Sequence, residues 1–296
     1  MNLWDQRTVR QVMTMFGLSF RKEFGQNFLT DPEVIDATAD ACSPTEDCTV
    51  LEIGPGIGTL TRSLATRYKR VIALEVDRSL IPVLRYTLED CPNVTVVNED
   101  VMQTDLPVLL AEAFAAGSVA VCANLPYYIT TPILMKLLES RLPFSGITVM
   151  VQAEVADRLC AGAGEKAYGA ITAVLNYYAR AEEILFVPAD RFVPAPKVNS
   201  KVIRITLWQE KPCVPRDEAL LFRTVKAAFG QRRKTLANAL ATGYPELGKE
   251  RVSKILADMG LAADIRGERL SIADFTALSD RIGEALSQTE GGNGHD

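Results

Sequence analysis

Five short aliphatic and β-branched runs, at residues 50–53, 71–76, 94–97, 119–123 and 147–151, recur through the first half of the chain with helical periodicity between them. Runs this short, apolar on both sides, suit strands buried on both faces, and the amphipathic stretches between them supply the covering helices. The fold class this dictates is α/β, with a doubly wound parallel sheet. A further run at 201–208 alternates in a β manner and is expected to complete the sheet. From Pro212 onward the pattern changes to helices alone, at 218–229, 233–241, 249–259 and 272–286. The expected division is therefore a sheet domain at 1–210, a small all-helical domain at 211–288 and a disordered tail at 289–296, where Gly291, Gly292 and Gly294 cluster.

Composition excludes several chemistries. The single histidine, His295, lies in the glycine-rich tail, and the six cysteines have no paired short spacing. No metal site, disulfide framework or His-based catalysis is expected. Residues 1–10 carry charge where a signal peptide needs an apolar run, and no stretch is long enough to span a bilayer, so a cytoplasmic protein without a membrane partner is expected. The net charge of -5 argues against a nucleic-acid partner only until its distribution is considered. Residues 197–239 hold ten basic and three acidic side chains, so the remainder of the chain is strongly acidic. Lys197, Lys201, Arg223, Arg232, Arg233 and Lys234 are the candidate phosphate contacts within that stretch.

In an open α/β sheet, ligands bind beyond the carboxyl ends of the strands. Leu51-Glu52-Ile53-Gly54-Pro55-Gly56-Ile57-Gly58 reads as a strand entering a glycine turn, where the backbone can approach a ligand closely. Glu75 closes the second strand, where a carboxylate can accept from ribose hydroxyls, and Asp100 closes the third, placed to meet the adenine amine of a nucleoside cofactor. A nicotinamide dinucleotide fits these features too, although Thr59 occupies the slot of the third glycine in G-x-G-x-x-G.

The fourth strand end discriminates. Asn124-Leu125-Pro126-Tyr127-Tyr128-Ile129-Thr130 offers an amide oxygen and a backbone carbonyl to the two hydrogens of a planar exocyclic amine. Accepting both would localise a lone pair otherwise delocalised into a purine ring. Pro126 fixes the backbone so that Tyr127 can stack on the base and stabilise the cationic amine left by alkylation. The pattern points to adenine methylation with S-adenosyl-L-methionine as donor. In the bland alternative, Asn124 caps a helix and the tyrosines belong to the core.

Nearly the whole chain resembles the KsgA/RsmA family of small-subunit ribosomal RNA adenine N6,N6-dimethyltransferases. The motifs carrying the resemblance are Phe24-Gly25-Gln26-Asn27-Phe28-Leu29, Met150-Val151-Gln152-Ala153-Glu154-Val155-Ala156, Phe192-Val193-Pro194-Ala195-Pro196-Lys197-Val198-Asn199-Ser200 and Phe229-Gly230-Gln231-Arg232-Arg233-Lys234-Thr235-Leu236. The resemblance implies a Rossmann-like class I methyltransferase sheet. It implies a cofactor pocket lined by Asn27, Leu29, Gly54, Gly56, Glu75, Asp100 and Asn124, and catalysis by Asn124, Leu125, Pro126 and Tyr127, with Phe192 covering the opposite face of the adenine. It further implies a monomer that dimethylates two adjacent adenines in the 3′-terminal hairpin of small-subunit ribosomal RNA during subunit biogenesis. The rival readings are a large-subunit ribosomal RNA adenine methyltransferase of the macrolide-resistance type, an amide or free-adenine methyltransferase, and a noncatalytic RNA-binding assembly factor. The pI of about 5.2 counts against the first.

Overall fold

The computed structural model of the protein describes residues 1–19, 27–231 and 233–292. Its elements in chain order are α1 (Gln6–Met15), β1 (Phe28–Leu29), α2 (Pro32–Asp40), β2 (Cys48–Ile53), α3 (Thr59–Ala65), β3 (Arg70–Leu74), α4 (Ile81–Thr87), β4 (Val94–Val97), α5 (Leu106–Ala116), β5 (Ser118–Asn124), α6 (Thr130–Glu139), β6 (Ile147–Gln152), α7 (Ala153–Cys160), α8 (Ala170–Tyr178), β7 (Ala179–Val187), β8 (Phe192–Val193), β9 (Ser200–Leu207), α9 (Glu218–Gly230), α10 (Leu236–Gly243), α11 (Gly248–Asp258) and α12 (Ile272–Gly292), with short 3-10 turns between some of them. They divide into two compact units: residues 1–156 with 180–207, and residues 157–179 with 208–296.

The first unit is built on a sheet of strand order β4-β3-β2-β5-β6-β9-β7. The pairs β2/β3, β3/β4, β2/β5 and β5/β6 are parallel, whereas β9 enters antiparallel to β6. All six residues of β2 are buried, as expected for a central strand covered on both faces. Strand order reverses between β2 and β5, so the chain leaves these neighbours toward opposite ends of the sheet. A crevice opens above their carboxyl ends for that reason. Tyr68, 6% exposed, ties the covering layer to this sheet: its hydroxyl donates to the Ala39 carbonyl (2.7 Å) and accepts from the Ser43 amide (3.2 Å).

Two features differ from expectation. The run at 201–208 joins the sheet as expected, but an unexpected strand, β7, lies outside it at the edge. Strand β7 carries Arg180, Glu182 and Glu183, all exposed, and an edge strand tolerates polar residues that would disqualify an inner one. Lys201 of β9 pairs with Glu183 across this edge at 2.7 Å.

The second unit is helical and includes α8, which precedes the basic stretch. Its centre is aromatic: Phe229 packs on Tyr168 and on Phe275, each at 5.9 Å between ring centroids. The Tyr168 hydroxyl donates to the Leu270 carbonyl at 2.9 Å. Helix α12 runs to Gly292, past the expected end at Leu286 and into the segment expected to be disordered. Arg251 of α11 explains the extension, since its guanidinium donates to Thr289 Oγ1 (2.6 Å) and Gln288 Oε1 (2.8 Å).

Replacing Tyr68 by Phe removes a hydroxyl and leaves the buried Ser43 amide without its acceptor. Urea denaturation should show a loss of about 1–3 kcal/mol without loss of cooperativity.

Candidate functional site

The crevice above β2 and β5 is lined by Asn27, Leu29, Gly54, Gly56, Glu75, Asn124, Leu125, Pro126 and Tyr127 among the expected residues, together with Glu52, Thr38, Val76 and Tyr128. Each wall has a local cause. Gly54 and Gly56 take left-handed φ values of +70° and +61°, a conformation side chains resist. At Gly56 there is also no space, since an added Cβ would lie 2.9 Å from Phe28 Cε1. The turn thus lets the backbone lie against the cavity without side chains, its Gly54 amide donating to the Leu74 carbonyl (3.0 Å).

Glu75 stands one residue past β3 and is 5% exposed. Its Oε1 accepts from the Asp77 amide (2.8 Å) and its Oε2 from the Gly56 amide (3.3 Å). Burial still dominates these donors and pushes its pKa up to about 7. Glu52, the next-to-last residue of β2, is 1% exposed. Its Oε2 has no hydrogen-bond partner, and neither does Thr61 Oγ1 on α3. Burial, reinforced by the Glu75 charge, pushes the Glu52 pKa up to about 8.

The heptapeptide after β5 is held at several points. The Leu125 amide donates to the Met150 carbonyl of β6 (3.1 Å), and the Pro126 carbonyl accepts from the Ile129 amide (3.2 Å) and from Thr130 Oγ1 (3.0 Å). Asn124 Nδ2 donates to the Asn27 carbonyl at 3.4 Å, which leaves its Oδ1 as the acceptor turned to other partners. Among the described residues no hydrogen bond falls on the Leu125 carbonyl. The Tyr127 hydroxyl shares a 2.6 Å hydrogen bond with Ser200 Oγ at the start of β9, which fixes the ring plane, and burial raises its pKa. Tyr128 is 61% exposed.

Two expected residues stand elsewhere. Asp100 lies beyond the end of β4 and does not line this cavity; its Oδ1 accepts from the Met102 amide at 2.8 Å, closing its own turn. Phe192 corrects the expectation that its ring covers a base. It is 2% exposed, pairs with Leu29 across the β1/β8 ribbon and belongs to the core cluster around Val34, Val202 and Met150. Its apolar ring has more to gain inside that cluster than at a wet rim.

The basic candidates separate as well. Lys201 is engaged by Glu183, and Arg223 donates to Glu246 (2.8 Å) and the Gly243 carbonyl (3.0 Å) while lying 4.3 Å over the Tyr244 ring. Both are tied to their own unit. Lys197 in the first unit and Arg233 and Lys234 in the second are exposed. Arg232 lies outside the described residues, as do Phe24, Gly25 and Gln26 of the N-terminal motif.

Sequence reasoning missed Glu52, although its place inside the strand before the glycine turn was a usable signal. It also missed Lys136, for which there was no signal. The Lys136 ammonium on α6 donates to the carbonyls of Met102 (2.9 Å) and Thr104 (2.8 Å), so the helix that follows Asn124-Leu125-Pro126-Tyr127 grips the loop that carries Asp100. Among the described residues no cluster of His, Cys, Asp and Glu could hold a metal ion.

The family profile described as "Ribosomal RNA adenine dimethylase" matches residues 17–282. The chain is 47% identical to the "Ribosomal RNA small subunit methyltransferase A" of Bacillus licheniformis, over 94% of this chain and 96% of that protein. It is 44% identical to the protein of the same name from Lachnoclostridium phytofermentans, over 96% and 99%. Among solved structures, a dimethyladenosine transferase from Plasmodium falciparum shares the fold with a TM-score of 0.72 at 22% identity, over 88% of this chain and 98% of that one. The 23S rRNA methyltransferase ErmE gives a TM-score of 0.66 at 27% identity, over 87% and 100%.

Replacing Gly56 by Ala adds a steric collision with Phe28 to left-handed strain, whereas an added Cβ at Gly54 meets nothing within 4 Å. Chemical denaturation should show the Gly56→Ala loss exceeding that of Gly54→Ala, the latter being about 1 kcal/mol. Lys136→Met should accelerate hydrogen exchange at the amides of 102–104 more than tenfold, with the central strands unaffected.

Proposed function

The chain belongs to the ribosomal RNA adenine dimethylase family, and on that footing we propose that it transfers methyl groups from S-adenosyl-L-methionine to N6 of two adjacent adenines in the 3′-terminal hairpin of small-subunit ribosomal RNA. The cavity residues fit such a donor. A buried carboxylate at Glu75 suits ribose hydroxyls, the Gly54–Gly56 turn leaves room for close backbone approach, and the unpartnered Glu52 Oε2 favours a cationic guest. When bound, the cofactor supplies an electrophilic methyl on a sulfonium.

The chain's own residues prepare the nucleophile. Asn124 Oδ1 and the Leu125 carbonyl accept the two N6 hydrogens, which pulls the amine toward a pyramidal geometry and exposes its lone pair. An amide serves here because it accepts without first removing a proton. Pro126 holds the turn, and Tyr127, its hydroxyl pinned to Ser200, offers a face for the base and for the positive charge that develops on N6. Phe192 supports Leu29 from the core. The target adenine must leave its stack to enter. Lys197, Arg232, Arg233 and Lys234 would hold phosphates of the ribosomal RNA, with sequence-independent affinity.

One observation carries this reading: Asn124 lines the cavity with its Nδ2 donating to the Asn27 carbonyl, which leaves its oxygen available to accept. The protein would act in the cytoplasm, as a monomer, on the assembling small subunit. No helix among the described residues is long and apolar enough to cross a membrane. The ErmE enzyme shares the fold, so fold alone does not choose between ribosomal targets. The small-subunit reading rests on the 42–47% identical relatives bearing that name.

Incubation with labelled donor and immature small subunits, free large-subunit RNA or adenosine, followed by mapping, should label adjacent small-subunit adenines alone. Label on large-subunit RNA would transfer the assignment to the macrolide-resistance type. Asn124→Ala should keep donor affinity within severalfold while slowing transfer by about a hundredfold or more; turnover near wild type would remove Asn124 from the mechanism.

A further inference from the structure

Two carboxyl groups, not one, face the crevice. Glu52 sits on β2 between Ala73 of β3 and Cys122 of β5, and its Oε2 is buried without a hydrogen-bond partner. Glu75 lies on the adjacent strand end and lines the same cavity. The Glu75 charge adds to the cost of ionising Glu52, while burial is the first cause of both shifts. The surroundings offer no compensating cation among the described residues: α3 presents Thr61, β5 the Cys122 thiol, α2 the Thr38 hydroxyl, which is donated to the Val34 carbonyl, and the turn after β3 presents Asp77. A fold that buries an unpaired carboxyl in a cavity wall incurs a cost that a cationic ligand can offset.

Resting on the proposed donor, we propose that Glu52, with Glu75, is a charge-matching floor that loses a proton when the cationic methyl donor enters and regains it with the product, so that the pocket favours donor over spent cofactor. The donor carries an ammonium, a carboxylate and a sulfonium, a net charge of about +1 near neutrality; the thioether product has lost the sulfonium and is neutral overall. Ribose contacts at Glu75 are common to both ligands. Glu52, free of such contacts, responds to the extra charge. The step balances as a carboxylic acid giving a carboxylate and a proton released to buffer, with no other reactant.

Calorimetry with S-adenosylmethionine and with S-adenosylhomocysteine, in buffers of different ionisation enthalpy near pH 7, counts the protons directly. More protons should leave on binding donor than on binding product. The donor-to-product affinity ratio should fall as pH drops from about 8 to about 6, by at most about tenfold per pH unit for one proton. Glu52→Gln should flatten that dependence. In the ligand-free protein, wild type should lose stability relative to Glu52→Gln as pH rises from 4.5 through about 8, because the folded state holds the proton more tightly than the unfolded chain. Equal proton release with the two ligands in wild type would overturn the inference while leaving the methyl-donor reading intact. Binding of neither ligand would overturn both. Should Glu52→Gln fail to fold, the wild-type comparison decides alone.

Discussion

The reversal of strand order between β2 and β5 is the constraint on which the site depends. Two parallel neighbours that leave the sheet toward opposite ends cannot both be covered above their carboxyl termini, so the glycine turn and the Asn124 heptapeptide face one another across an opening. Adjacent strands stand about 4.8 Å apart. A nucleoside-sized ligand that spans this gap meets both walls at once, which makes a two-substrate transfer possible within one rigid unit.

Rigidity is then added locally. Met150 of β6 holds the Leu125 amide, Thr130 and Ile129 hold the Pro126 carbonyl, Ser200 of β9 holds the Tyr127 hydroxyl and Asn27 holds the Asn124 amide. Each of these bonds contributes about 1 kcal/mol on its own. Their joint effect is to engage the donors of this segment while the Leu125 carbonyl, in a residue that lines the cavity, accepts no hydrogen bond among the described residues. That polarity suits an amine that must keep its hydrogens until it has reacted. The same preference for cations runs to the floor, where Glu52 and Glu75 are buried with too few donors to stay comfortably ionised.

Much of this was legible from residues 50–151, because inner strands buried on both faces must be continuously apolar and their ends must carry the polar chemistry. Gly54, Glu75 and Asn124, read from strand ends, line one cavity that Asp100 does not line, and Asn27, implied by the family resemblance, lines it with them. β7 was not legible: an edge strand with exposed Arg180, Glu182 and Glu183 has no inner-strand pattern. The motif around Phe192 was visible, yet its ring lies in the core, because a motif names a residue without saying which side of a two-residue ribbon its side chain takes. Lys201 and Arg223 counted toward a basic stretch but are neutralised by Glu183 and Glu246, acids distant in sequence.

Periodicity and the spacing of glycine, carboxylate and amide therefore determined by themselves the parallel strands of the sheet, the position of the cavity and the places of Gly54, Glu75 and Asn124 at its rim, since these follow from local patterns repeated along the chain. Tertiary structure alone decided which carboxyls are stranded from water, which cations are spent on internal pairs and how Lys136 joins α6 to the loop at 102–104. Those outcomes depend on distances between residues far apart in the chain, and the energies of buried charge and hydrogen bonding change with every ångström of that separation.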